Sequence, residues 1–184
     1  MVISRDEAEA ALSEIERTTF RGEALRSYRF AGPILMLWGV IWAIGYVAMG
    51  LLPVRQWGFI WLPLDFVGVA ATILMSRKAP GGVKGAGGWR ALAVILMVGA
   101  FSGAVYVVFQ PTSPGPFLAF PGLLAGMIYG VFGIWRMTRY IWIGAAVFAA
   151  TLIGFFCFPV GLAFWMAAAG GGGLILAGLW LRRA

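Results

Sequence analysis

The stretch YIWIGAAVFAATLIGFFCFPVGLAFWMAAAGGGGLILAGLWL (residues 140–181) runs for 42 residues without a charged side chain. A helix rising about 1.5 Å per residue crosses the ~30 Å hydrocarbon core of a bilayer with about 20 apolar residues. The run is therefore long enough to cross twice. Pro159 is its only obvious break, and a proline favours a turn because it lacks the N–H that a helix interior requires. Spans at 140–158 and 160–181 follow, with one long kinked helix as the alternative. Towards the N-terminus, similar apolar stretches occupy 117–135, 89–109, 57–75 and 31–52. The expected fold is all-α: a polytopic integral membrane protein of six transmembrane helices preceded by a short cytoplasmic N-terminal helix.

Composition agrees. The chain is 61% hydrophobic and 11% charged, whereas soluble domains are about half apolar and about a quarter charged. It has no histidine and one cysteine, Cys157. The imidazole ligands common at haem and zinc sites are thus missing, and a lone thiol excludes both an intrachain disulfide and a thiolate metal cluster. Cys157 reads as a small apolar filler. No cofactor and no metal are expected. Arginine outnumbers lysine and alanine and glycine abound, a bias that points to a GC-rich bacterial genome.

The net charge of +7 lies beside the apolar spans. That placement indicates membrane topology and gives no reason to expect nucleic-acid binding. Arg17, Arg21, Arg26 and Arg29 precede the first span; Arg77, Lys78, Lys84 and Arg90 lie in the 76–90 connection; Arg136 and Arg139 lie in the 136–139 turn, and Arg182 and Arg183 at the C-terminus. The alternate connections, PVRQ (53–56), QPTSPGP (110–116) and the Pro159 turn, hold only Arg55. Lys and Arg concentrate on the cytoplasmic side, so both termini are expected there, in a multi-pass inner-membrane protein. The parity of six spans agrees. Trp57, Trp89, Trp135, Tyr140, Trp142 and Trp180 punctuate the span ends as an interfacial aromatic belt.

Residues 1–29 form a cytoplasmic amphipathic segment, distinct from a transmembrane domain at 30–184. SRDE at 4–7 matches a capping box, with Ser4 as N-cap and Glu7 reaching back. Asp6, Glu7 and Glu9 complement the positive end of the helix dipole, and Arg17 and Arg21 its negative end. Glu14 and Arg17 are spaced to pair at i,i+3, while Ala8, Ala11, Leu12, Ile15 and Thr19 form a narrow stripe. Gly22 is read as the interruption before the bilayer. The acidic start differs from a signal peptide, so no cleavage is expected. Glu7, Glu14, Arg17 and Arg21 are the candidate contacts to a cytosolic protein partner through residues 4–29.

Small residues recur at packing intervals: Gly99 and Gly103; Gly122, Gly126 and Gly130; and Ala169, Gly173 and Ala177 within AAAGGGG at 167–173. Such stripes let backbones approach closely in lipid. They serve either packing within one bundle or the face of a homodimer. Four consecutive glycines wrap round a helix and also permit a bend at 170–173.

Asp65, within WGFIWLPLDFVG (57–68), is the only carboxylate side chain after Glu23. It lies about 12 Å inside Trp57, near the membrane midplane, where an ionisable group costs on the order of 3 kcal/mol. It is expected to face protein or water, on the helix face of Gly58, Trp61, Gly68, Thr72 and Ser76. Tyr46, Ser102, Tyr129 and Thr151 fall at similar depth, and their hydroxyls are candidate partners. With no cation in the spans, the neutral acid is the expected form. Thr72, on the Asp65 face, completes this intramembrane polar set.

Of two functions the first is the expected one and the second the alternative, because one carboxylate without a substrate-binding constellation is thin for a transporter. The first is a non-enzymatic regulatory or scaffolding anchor for a cytosolic partner. The second is a small proton- or cation-coupled transporter or channel centred on Asp65. Catalysis generally needs a second titratable group at that depth, and none is present, so no enzyme is expected.

Overall fold

The computed structural model describes residues 5–77, 86–135 and 137–183; before Ser27, the side chains of Glu14 and Leu25 are included. The expected capping box at Ser4, the loop with Lys78 and Lys84, and Arg136 lie outside the described residues. The helices are α1 (Arg5–Leu51), α2 (Trp57–Arg77), α3 (Ala86–Phe109), α4 (Pro114–Trp135), α5 (Arg139–Cys157), α6 (Leu162–Trp165) and α7 (Gly173–Arg182). A 3₁₀ turn at Val54–Gln56 precedes α2, and a π-helical segment at Met166–Gly172 joins α6 to α7. No strand occurs among the described residues.

Six helical segments are long and apolar enough to cross a membrane: Ser27–Leu51, Val54–Arg77, Leu92–Phe109, Pro114–Trp135, Arg139–Cys157 and Leu162–Arg182. The chain is an all-helical, multi-pass membrane protein. The Pro159 turn separates the last two spans, because α5 stops at Cys157 and α6 begins at Leu162. The Trp165 ring stacks on Phe158 at 4.6 Å, and its indole N–H donates to the Ala150 carbonyl at 2.7 Å, closing this turn. At the end of α3, Gln110 adopts a left-handed backbone (φ 41°), turning the chain out before Pro111.

One expectation is corrected. Gly22 does not interrupt the first helix, since α1 continues from Arg5 through Gly22 and Pro33 to Leu51. A single glycine costs a helix only about 1 kcal/mol, and the strong helix formers Glu23, Ala24, Leu25 and Arg26 follow directly.

Glycines set the closest approaches. A Cβ on Gly39 would fall 2.7 Å from the Gly171 carbonyl oxygen, and one on Gly32 would fall 2.7 Å from that of Gly178. Thus α1 lies directly against the last span. Between α4 and α5, a Cβ on Gly144 would meet the Gly126 carbonyl at 2.6 Å. In lipid no hydrophobic force drives helices together, so van der Waals contact between such surfaces carries much of the association. The glycine run also relaxes the helix: without side chains to crowd the preceding turn, Met166–Gly172 takes up the wider π geometry.

Buried side chains form two clusters. Tyr46, Met49, Trp57, Leu118, Leu162 and Met166 fill one end of the bundle. Tyr28, Leu35, Tyr140, Ile143, Val147, Leu174 and Leu181 fill the other. At that second end the Arg139 guanidinium lies over the rings of Tyr28 (5.3 Å) and Trp180 (5.0 Å), and donates to the Trp180 carbonyl at 3.3 Å. One arginine therefore ties the start of α5 to α1 and α7. By contrast, α3 stands at the periphery. It meets α4 through ring contacts of Phe101 and Tyr106 with Phe117 and Phe120.

Candidate functional site: a carboxylate in an aromatic cavity

Helix α2 contains Pro63, which cannot donate to the carbonyl of Phe59. The stripe predicted for Asp65 is the one that α2 turns towards α1. A Cβ on Gly45 of α1 would lie 2.8 Å from the Trp61 ring, and one on Gly68 would lie 2.7 Å from the Ile41 side chain. The Trp38 indole N–H donates to the Thr72 hydroxyl at 3.2 Å, fastening the far end of this face. From Trp57 to Asp65, α2 lines a cavity of about 430 Å³.

Four helices wall this cavity: Trp42 and Met49 from α1, Trp57, Gly58, Trp61 and Asp65 from α2, Tyr106 from α3, and Phe117 and Pro121 from α4. Asp65 is exposed and, among the described residues, has no hydrogen-bond or ion-pair partner. It is the only formally charged residue of the lining. The other polar hydrogens are largely engaged. Trp57 N–H donates to the Leu52 carbonyl (3.2 Å), Trp61 N–H to the Met49 sulfur (3.0 Å), and the Tyr106 hydroxyl to the Phe117 carbonyl (3.4 Å). What remains is mostly aromatic and aliphatic surface around one carboxylate.

The hydroxyls expected near Asp65 go elsewhere, which corrects the idea of an interhelical bond to it. Tyr46 is fully buried, edge-on to Trp42 and Trp61, and donates to the Leu118 carbonyl at 3.0 Å. Ser102 donates to the Val98 carbonyl (2.9 Å) and Thr151 to the Val147 carbonyl (2.8 Å), each within its own helix. Hydroxyls on apolar helices commonly bond back to the i−4 carbonyl, which needs no neighbour. Tyr129 packs beside Tyr140, with centroids 5.7 Å apart. Tyr46 and Thr72 still matter indirectly, because they fix α1 against α4 and α2.

Of the glycines singled out, Gly122 and Gly126 sit in tight packing. A Cβ on Gly122 would fall 2.7 Å from the Met166 methyl, and one on Gly126 would fall 2.9 Å from Phe148. Gly130 offers its backbone to Gly144, whereas Gly99, Gly103 and Gly173 have open space where a Cβ would go. In the last span the close approaches belong to Gly171 and Gly178 instead. Glu14 is exposed. Glu7, Arg17 and Arg21 lie on the backbone of α1, and their side chains are outside the described residues.

The sequence places Trp61 and Gly58 on the Asp65 face, but not the other aromatic walls. Trp57 and the other ring residues fitted an interfacial belt, yet Trp57 is buried. Tyr106 was not singled out at all. The missed signal was local: Trp57, Trp61 and Asp65 repeat at intervals of four, which puts two indoles and the carboxyl on one helix face. No group of three or more metal-ligating side chains occurs among the described residues. Comparison of the chain with protein-family profiles, with curated protein sequences and with solved structures returns no match.

Proposed function

We propose that the protein is a small, non-enzymatic transporter of the bacterial inner membrane, with both termini cytoplasmic and Asp65 as its proton- or cation-coupling carboxylate. One observation carries this reading: an unpartnered carboxylate within a span opens on a cavity bounded by four helices. Acids inside spans commonly mark ion pathways, and a carboxylate tied up in structure would have its oxygens bonded. Asp65 is free to exchange a proton for another cation. The test is proton flux in proteoliposomes under an imposed pH gradient, with monovalent cations (sodium, potassium and an alkylammonium) supplied on the opposite side as exchange partners. Flux through the native chain that disappears in Asp65→Asn supports the proposal; equal flux from both, or none from either, overturns it.

A second reading, an anchor for a cytosolic partner, draws on a different feature. Helix α1 continues from its span through 22 further residues, Arg5–Arg26, as unbroken helix, an arm of about 33 Å. Such an arm suits docking of a soluble protein. Co-purification of one cytosolic protein with the full chain, lost when residues 2–20 are deleted, would support it.

A further inference from the structure

We propose that the Asp65 cavity takes an organic monovalent cation, a quaternary ammonium or protonated amine bearing aryl or alkyl groups. Its charge would be held between the carboxylate and the ring surfaces of Trp42, Trp61 and Tyr106. This inference rests on the transporter reading and names its substrate class.

The lining excludes the other classes of ligand in turn. A proton alone needs no cavity, yet this one measures about 430 Å³, within the ~300–1,000 Å³ range typical of small-molecule sites. A bare divalent ion demands six or more oxygen ligands. The lining contains one carboxylate and one phenol oxygen, and the phenol hydrogen is already directed to the Phe117 carbonyl. An anion would meet a negative charge and few donors. A sugar would leave most of its hydroxyls unmatched, since the indole hydrogens of Trp57 and Trp61 are bonded within the protein and the indole of Trp42 is left as the lone donor of the lining.

An organic cation matches each feature. Its charge is complementary to Asp65, its apolar groups match Met49, Phe117 and Pro121, and it requires few hydrogen bonds. Aromatic faces attract cations through their quadrupoles, most strongly for indole, and the attraction grows when water is excluded. On this arrangement one proton leaves Asp65 for each monovalent cation bound, so the charge of the site is conserved through the exchange.

The experiment is equilibrium dialysis of radiolabelled benzyltrimethylammonium against the purified full-length protein in detergent at pH 8. Benzenesulfonate, an aryl anion, serves as comparison. Saturable binding of the ammonium with none of the sulfonate is expected. Asp65→Asn should weaken it at least tenfold. Tyr106→Leu, on the peripheral helix, should weaken it about fivefold. Equal uptake of both probes, or an Asp65→Asn variant that binds as well as the native chain, overturns the inference. Asp65-dependent proton flux without ammonium binding overturns it too, while leaving the transporter reading standing. Binding without flux upholds the site and sinks the transporter reading alone.

Discussion

The Tyr106 hydroxyl donates to the Phe117 carbonyl at 3.4 Å, and that carbonyl is the acceptor which Pro121 deprives of its helical donor. A residue of the peripheral helix thus repairs a defect in its neighbour while its ring, stacked on Phe117 at 4.7 Å, forms part of the cavity wall. Tyr106→Phe should keep the stack and lose only the hydrogen bond. The expected loss is about 0.6 kcal/mol, the average found for interhelical hydrogen bonds in bilayers, read from unfolding in detergent. Tyr106→Leu should cost more by removing the stack as well.

Glycine contacts make a paired prediction. A Cβ on Gly171 would lie 2.7 Å from the Ala43 nitrogen, backbone that cannot rotate away, whereas Gly103 has open space around it. Gly171→Ala should destabilise the protein by about 1–3 kcal/mol, the usual range for overpacking. Gly103→Ala should stay within about 0.5 kcal/mol of the native chain. Thermal unfolding of the two variants side by side checks both; similar losses would mean that α1 and the last span are not apposed as described.

Binding of an organic cation should depend on pH with a defined sign. Proton and ligand compete for the Asp65 carboxylate, so affinity is full where the carboxylate is ionised and falls as acid protonates it. Tyr106 is the only other titratable lining residue, and its hydroxyl is engaged with Phe117. The measurement is benzyltrimethylammonium binding from pH 8 to pH 5, alongside the infrared carboxyl band. Asp65→Asn should abolish the pH dependence while altering stability by less than about 0.5 kcal/mol, because the native carboxyl has no protein partner to lose.

Orientation is tested by reporter fusions. A fusion at Ser113, in the short connection between α3 and α4, should read external, and one at the C-terminus cytoplasmic. Deleting residues 2–20 should leave a bundle that still inserts and extracts, because the first membrane span begins only at Ser27. A truncated chain that aggregates would make the arm structural.

The spans were legible because their signal is additive: twenty apolar residues in a row mean the same thing wherever they occur. The turn at Pro159 was legible for a similar reason, since a missing N–H acts locally. Asp65 stood out by rarity. Its surroundings did not, because they depend on rotamers and on where Trp42 and Tyr106 arrive from other helices. The hydroxyls misled for the opposite reason: depth along a span brought Ser102 and Thr151 near the midplane, but each found an acceptor one turn back on its own helix. The reading of Gly22 failed by overrating one weak local preference against the strong helix formers beside it.

The unbroken course of α1 has a mechanical consequence. Its backbone lacks a donor at Pro33, next to Gly32, where the helix rests against Gly178 of the last span. A rigid tilt of α1 about that pair, with the Gly39–Gly171 contact giving way, would act as a lever. The inner arm, Pro33 to Trp42 in the cavity wall, is about 14 Å long, and the outer arm, Pro33 to Arg5, is about 42 Å. Such a tilt that shifted Trp42 by about 1 Å would sweep the tip at Arg5 through about 3 Å, a threefold magnification at the other end of the same helix.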